Sequence, residues 1–277
     1  MPHLGMIAGT GELPELIVQQ RHMEGRRLLT IALSAEVASR LAPYCPTLVQ
    51  YGPGQLSKII RTLKQHTVRQ VVIIGKFPKH VLFGIPRVDL RALRLLSRAP
   101  DYQDVTLLHA LIAEFAREGL EVVEQTRLLS HLITPVGTLG ARQPTKRQWS
   151  DIRFGFKQAK QLAGMDVGQT IVVRRQTVLA VEAVEGTDAT IQRGGRLGGH
   201  GAVVIKVSRP CQDMRFDVPT VGPQTLQTVI DAGAVALAVE AGATLMIHRP
   251  QLVDTANKHR IALLGISGTA LRVTGAE

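Results

Sequence analysis

Cysteine is scarce in this 277-residue chain: Cys45 and Cys211 are its only two. They stand far apart, without partners at metal-ligand spacing, which argues against a disulfide framework and a structural zinc site and makes a reducing cytoplasm the expected compartment. Aromatic residues make up only 4%, too few for a platform on which single-stranded bases could stack. No window approaches the roughly 20 apolar residues that span a bilayer. The opening MPHLGMIAGTGELPELI has no basic segment followed by a long apolar core, so neither secretion nor a membrane span is expected. The nine histidines, among them His3, His109, His131, His200 and His248, form no HxxxH or HxxE cluster, which disfavours a histidine-based metal site. No repeat of fixed period is visible.

Acids are in the minority. Against 33 Lys and Arg stand 22 Asp and Glu, a formal net charge of +11. Phosphate backbones reward clustered cations, but here the cations are dispersed and no nucleic-acid partner is expected. An anionic membrane surface or a phosphorylated small molecule suits the same charge. A hydrophobic content of 45% over this length can fill the cores of two ordinary domains or one large one.

The patterns are those of an α/β protein. In LGMIAGTGELP an apolar run from Leu4 to Ala8 meets Gly9, Thr10 and Gly11, and LPELIVQQ comes next at helical spacing; strand, glycine turn and helix open a nucleotide-binding layer. LLTIALS (28–34) and QVVIIGKF (70–77) read as strands, LSKIIRTLKQHTV (56–68) as an amphipathic helix, and LRALRLLSRA and DVTLLHALIAEFAREGL as two more helices. EVVEQTRLL (121–129) reads as a closing strand. A Rossmann-like domain is therefore expected over 1–132. The stretch 133–150, broken by Pro, Gly and basic residues, reads as a linker. A second, mixed α/β domain is expected over 151–277, with a helix from Asp151, a hairpin of TIVVRRQ and TVLAVEAVEG, a short helix giving way to the glycine-rich loop QRGGRLGGHG, and further strands AVVIKVS and ALAVEAGATLMI.

Three stretches carry candidate chemistry. QDMRFDVPTVGPQT (212–225) sets Asp213 and Asp217 beside Arg215 and stiffens the residues after them with Pro219 and Pro223. Asp217 there is either a carboxylate that coordinates Mg²⁺ or orients a water, or one half of a salt bridge that pins a loop. VLAVEAVEGTDAT (178–190) gathers Glu182, Glu185, Thr187 and Asp188 past a strand end; they serve a ligand, or form a solvated turn with Asp188 capping a helix from Ala189. GTGELP offers amides to a phosphate or turns for steric reasons alone, and Pro14 replaces the third glycine of GxGxxG. The glycines of 192–201 bring amides to a diphosphate or form a mobile loop. Lys206 and Arg209 can bind phosphate as point charge and fork, or serve the surface.

LGMIAGTGELP, DVGQTIVV, EGTDA, VIKVSRPCQDMRFDVPTVGPQT and ALAVEAGATLMI together resemble the LpxI family, the UDP-2,3-diacylglucosamine pyrophosphatases of lipid A biosynthesis, nearly end to end. The resemblance implies Mg²⁺-dependent hydrolysis of UDP-2,3-diacylglucosamine to UMP and 2,3-diacylglucosamine 1-phosphate (lipid X), in a two-domain α/β fold with the active site in the interdomain cleft. It implies a cytoplasmic protein peripherally associated with the anionic inner face of the inner membrane, and allows a homodimer. Asp217 takes the place of the family's catalytic aspartate, with Glu185 and Asp188 assisting. Asp217 and Asp188 become the metal carboxylates, while Gly9, Thr10, Gly11, Lys76, Thr187, Lys206, Thr220 and Gly222 become substrate contacts. Two departures are Arg209-Pro210, where relatives often carry Lys-Pro, and GKFPK (75–79) in the central loop. Two rival readings are a Rossmann-type oxidoreductase, for which the third glycine is missing, and a non-catalytic lipid- or nucleotide-binding module, which leaves the gathered acids unexplained.

Overall fold

The computed structural model describes residues 4–76, 88–98 and 104–268. His3, Ala99 and Phe77, Pro78 and Lys79 of GKFPK lie outside them. The chain divides into two compact α/β units, the first running to Leu128 and taking back Met214–Phe216, the second holding Leu129–Asp213 and the chain from Asp217 onward.

The first unit is a parallel sheet of β1 (Leu4–Ala8), β2 (Leu29–Ala32), β3 (Leu48–Gln50), β4 (Gln70–Ile74) and β5 (Glu121–Val122), in the order β3-β2-β1-β4-β5. Its helices are α1 (Leu13–Met23), α2 (Ala35–Leu41), α3 (Leu56–Gln65), α4 (Leu90–Arg98), α5 (Asp104–Arg117) and α6 (Gln125–Leu128). Strands of a parallel sheet covered on both faces are apolar throughout rather than alternating, and the VVII of β4 is buried at every position. Residues 35–55, to which the sequence patterns assign nothing, form α2, a 3₁₀ turn at Ala42–Tyr44 and β3; Ser34 caps α2 by accepting from the Val37 amide at 3.2 Å. The run EVVEQTRLL does not continue as one strand. Buried Gln125 donates its amide to Met214 O at 2.9 Å and its Nε2 to Ile73 O at 2.7 Å, and these bonds end the ladder after two residues and turn the chain into α6.

The second unit is a mixed sheet of β6 (Gly137–Thr138), β7 (Thr170–Arg174), β8 (Thr177–Val181), β9 (Val203–Lys206), β11 (Ala236–Glu240) and β13 (Ala262–Ile266), ordered β6-β13-β11-β9-β7-β8; β10 (Thr220–Val221) pairs separately with β12 (Leu245–Met246). Within the larger sheet the β9–β11 and β11–β13 pairs are parallel and the β6–β13, β7–β9 and β7–β8 pairs antiparallel. Alternate residues feed two cores: Val204, Leu237 and Leu263 one face, Ile205, Ala238 and Leu264 the other, as the two-residue period of a strand requires. The helices are α7 (Lys146–Gly164), α8 (Thr187–Gly198), α9 (Pro223–Asp231) and α10 (Arg249–Lys258). The β7–β8 hairpin turns through Arg175 and Gln176 with φ of 51° and 55°, and buried Asp151 accepts from both their amides at 3.0 and 2.7 Å. Residues 133–150, where the sequence suggests a linker, pair into this unit: Thr134 N donates to Thr244 O, β6 pairs with β13, and Leu139 N donates to Leu263 O. Trp149 packs on its core.

The glycines of QRGGRLGGHG are not a loop up to Gly198; they belong to α8. A Cβ on Gly194 would stand 2.5 Å from that of Val172, one on Gly195 2.5 Å from Ala232 O, and one on Gly198 2.3 Å from Leu179 Cδ1. Each helical glycine costs about 1 kcal/mol against alanine, and here close helix packing offsets it. Gly195→Ala is therefore expected to destabilise by about 1–3 kcal/mol through overpacking, despite its better helix propensity; a urea melt with a midpoint at or above wild type would contradict this packing role.

Candidate active site

Parallel strands of an α/β sheet direct the loops after their carboxyl ends toward ligands, and the second unit concentrates its polar side chains there. Glu240 ends β11. Its Oε2 accepts from Ser208 N and Ser208 Oγ, both at 2.7 Å, while Lys160 of α7 donates to both Glu240 oxygens at 3.0 Å and to Ser208 O at 2.8 Å. This clamp holds the chain just past β9 and so positions Arg209. The Arg209 Nε donates to Asp166 Oδ1 at 2.6 Å and its Nη1 to Asp217 Oδ2. Burial works to lower the Arg209 pKa, but the Asp217 and Asp166 carboxylates outweigh it and hold the guanidinium above its ordinary value.

Gln212 completes the mount. Its Oε1 accepts from Gln169 Nε2 at 2.8 Å and from Arg209 N at 3.0 Å, and its Nε2 donates to Asp217 Oδ2 at 2.8 Å and to Asp217 O. Asp217 N donates to Asp213 O at 3.2 Å. The side-chain bonds from Arg209 and Gln212 thus both fall on Oδ2 of a carboxylate that is still 44% exposed. Phe216, its neighbour in sequence, packs on the core of the first unit, edge-on to His109 with centroids 5.4 Å apart. Sequence reading singles out Arg215 beside Asp217; the structure also puts Arg209, eight residues back, on that carboxylate. Gln169 and Glu240 stand in the runs DVGQTIVV and ALAVEAGATLMI, but neither they nor Lys160 are singled out as site residues by sequence reading.

The EGTDA stretch divides its labour. Gly186, at φ 82°, precedes α8, which starts at Thr187 without a side-chain cap. Asp188 is therefore not the cap of a helix from Ala189; it sits in the first turn of α8, where a negative charge meets the positive end of the helix dipole. Thr187 Oγ1 donates to Glu182 Oε1 at 2.7 Å and accepts from Lys206 Nζ at 2.9 Å. Lys206, the last residue of β9, is only 8% exposed, and Glu182 Oε2 is buried with no hydrogen-bond partner among the described residues. Glu185 instead staples its own turn, accepting from Ala183 N and Thr190 Oγ1 at 3.2 Å each and from Arg193 Nη2. A bond from its own backbone amide, then the Arg193 guanidinium and the Thr190 hydroxyl, hold its carboxyl below the usual range. The staple is thus intact above the ordinary glutamate pKa and lost only as pH falls through the depressed value. A group so disposed is a poor proton donor near neutrality. The acid that touches Thr187, and through it Lys206, is Glu182.

Thr220 opens β10, its hydroxyl donating to Val218 O at 3.0 Å, and Gly222 precedes α9 where a Cβ would stand 2.7 Å from Ile247 Cγ1. In the first unit the glycine turn is brought to Lys76: Thr10 N donates to Lys76 O at 3.0 Å and Lys76 N to Thr10 O at 2.7 Å, while Gly9 N donates to Ile74 O at 2.8 Å. The amides of Gly9 and Thr10 are thereby spent within the protein; a phosphate at this turn would meet Gly11, whose φ of 110° favours glycine, and the exposed Lys76 side chain.

Among the described residues no three His, Cys, Asp or Glu side chains gather to hold a metal ion, and no helix is long and apolar enough to cross a membrane. Magnesium is commonly held by one or two carboxylates together with substrate phosphates and water, and the partly exposed Asp217 carboxylate, held through Oδ2, fits such a partial donor set.

Comparison with known proteins places the whole chain. The LpxI N-terminal domain matches residues 3–132 and the LpxI C-terminal domain residues 135–264. UDP-2,3-diacylglucosamine pyrophosphatase LpxI of Caulobacter vibrioides is 30% identical over 277 residues, covering 96% of this chain and 98% of that protein. Among solved structures, a UDP-glucose-4-epimerase from Stenotrophomonas maltophila aligns at 11% identity and TM-score 0.30 over 71% of this chain and 74% of its own. The biotin carboxylase subunit of pyruvate carboxylase aligns at 10% identity and TM-score 0.27 over 66% of this chain and 36% of its own; likenesses this weak carry no argument. The two matched domains and the near full-length relative show that the chain belongs to the LpxI family.

Proposed function

We propose that this protein hydrolyses the pyrophosphate bond of UDP-2,3-diacylglucosamine. The observation that carries the reading is the end-to-end match to a relative named for that activity. Water adds to one phosphorus, the bond from that phosphorus to the bridging oxygen breaks, and the products are two monophosphates, UMP and 2,3-diacylglucosamine 1-phosphate. The anionic substrate needs its charge met and its attacking water held. In this reading Asp217, fixed through Oδ2 by Arg209 and Gln212, uses Oδ1 to orient the water or to hold a divalent cation together with Asp188. Such a cation, when bound, neutralises phosphoryl oxygens. Lys206, held by Thr187, supplies a fixed positive charge, Arg209 a second, and Thr220 and Gly222 shape the loop beyond Asp217. The Gly9-Thr10-Gly11 turn and Lys76 serve the nucleotide or sugar phosphate. The acyl chains call for a peripheral, salt-sensitive visit to an anionic leaflet. The test is release of UMP from UDP-2,3-diacylglucosamine by the purified protein with and without Mg²⁺. Metal-dependent release supports the reading, and its absence from a folded protein that still binds the lipid would leave a binding module in its place.

A further inference from the structure

The first unit carries an open groove of about 700 Å³ between α3 and α4, whose lining includes Ser57, Ile60, Arg61, Lys64, Leu90 and Arg94 and none of the candidate active-site residues. One carboxylate fixes its two walls: Asp89 Oδ1 accepts from Ala92 N at 2.9 Å and Asp89 Oδ2 from Ser57 N at 2.6 Å, tying together the first turns of both helices. The neighbouring acids are also spent. Glu118 takes Lys64 at 2.8 Å and Arg91, and Glu114 takes Arg91 at 3.1 Å and Arg117. Lys58, Arg61, Arg94 and Arg98 are exposed and have no acidic partner among the described residues. Beside them α4 presents Leu90 and Leu93, 70% and 55% exposed and one helical turn apart. Single exposed leucines are ordinary; a leucine pair ringed by uncompensated cations is the composition of a helix that lies in a membrane interface, apolar residues in the acyl boundary and long basic side chains at the headgroups.

We propose that the α3–α4 face docks this protein on an anionic phospholipid surface, with Arg61 and Arg94 meeting lipid phosphates and Leu90 and Leu93 entering the interface. The proposal rests on the functional reading for the visit to an anionic leaflet and adds the face that makes it; its test is read without substrate. The full chain is sedimented with vesicles of phosphatidylglycerol and phosphatidylcholine, and with phosphatidylcholine alone. Binding is expected only to the anionic vesicles, and is expected to fade in 1 M salt, where the screening length falls to about 3 Å. Arg61→Ser/Arg94→Ser should weaken it roughly thirtyfold, about fivefold per cation. Leu90→Ser/Leu93→Ser should weaken it at low salt, whereas Arg26→Ser/Arg27→Ser, an equal loss of charge elsewhere on the unit, should leave it unchanged. Equal losses in the two arginine pairs would overturn the proposal in favour of diffuse charge. Release by millimolar inorganic phosphate would overturn it in favour of a soluble anion, and a dimer that becomes monomeric only in the groove variant would assign the face to a second copy. UMP release from detergent-dispersed substrate should be unchanged in Arg61→Ser/Arg94→Ser; a fall there would place the groove in the active site instead. A protein that shows the vesicle pattern but hydrolyses nothing would sink the functional reading and leave this one standing.

Discussion

Asp217→Asn is expected to lower kcat for UDP-2,3-diacylglucosamine by at least about a thousandfold, within the range lost when a positioned acid or base is removed. Asparagine keeps the shape and can still accept from Gln212 Nε2, so the loop retains its main tie, while the charge that holds a cation or takes a proton is gone. The fold should persist. The pair with Arg209 is half exposed, and ion pairs of that kind contribute about 0–1 kcal/mol, so the melting midpoint should move by no more than about 2–4 °C. Arg209 keeps Asp166 as a partner. If the carboxylate merely pinned a loop, turnover would stay near wild type in a folded variant, and that result would remove Asp217 from the chemistry. A loss confined to KM would likewise assign it to substrate binding.

Lys206→Met should cost at least about a hundredfold in kcat, comparable to removing one fixed group that meets developing charge. A nearly buried ammonium is costly to desolvate, and the folded protein offers it the Thr187 hydroxyl, itself bonded to Glu182. Methionine fills a similar volume, so packing should change little, but Glu182, whose Oε2 is buried, would be left without the cation that shares its threonine, a loss on the order of 2 kcal/mol. Lys206→Met/Glu182→Gln should recover that stability without recovering turnover. Recovery of both would mean that the lysine served the fold alone. Glu185→Gln separates the two glutamates of the stretch: its oxygens are committed to Ala183, Thr190 and Arg193, so turnover should stay within a few-fold of wild type while the turn loosens. A collapse of turnover in a folded Glu185→Gln protein would return the catalytic role to that residue.

Local pattern was enough for part of this. The apolar runs of β1 and β4, the amphipathic α3 and the β7–β8 hairpin arise from side-chain period and turn residues, because burial of one face or both is written into the order of apolar residues. The rigid loop around Asp217 was legible for a similar reason, since proline stiffening acts within the chain itself. Such signals do not reach across the sequence. That Gln125 would end β5 depends on Ile73 and Met214, and that the glycines of α8 would pack rather than flex depends on Val172, Leu179 and Ala232.

By itself, then, the sequence determined that the chain is α/β, that its family motifs stand in order, and that Asp217 and Lys206 carry candidate chemistry. Only the tertiary structure decided which partners those residues have. It set Arg209 and Gln212 on Asp217, Thr187 on Lys206 with Glu182 behind it, and it took the Gly9 and Thr10 amides out of reach of a phosphate. The reason is physical. Periodicity reports which face of an element is buried, whereas a hydrogen bond between residues far apart in sequence exists only once the sheet order has brought their strands side by side.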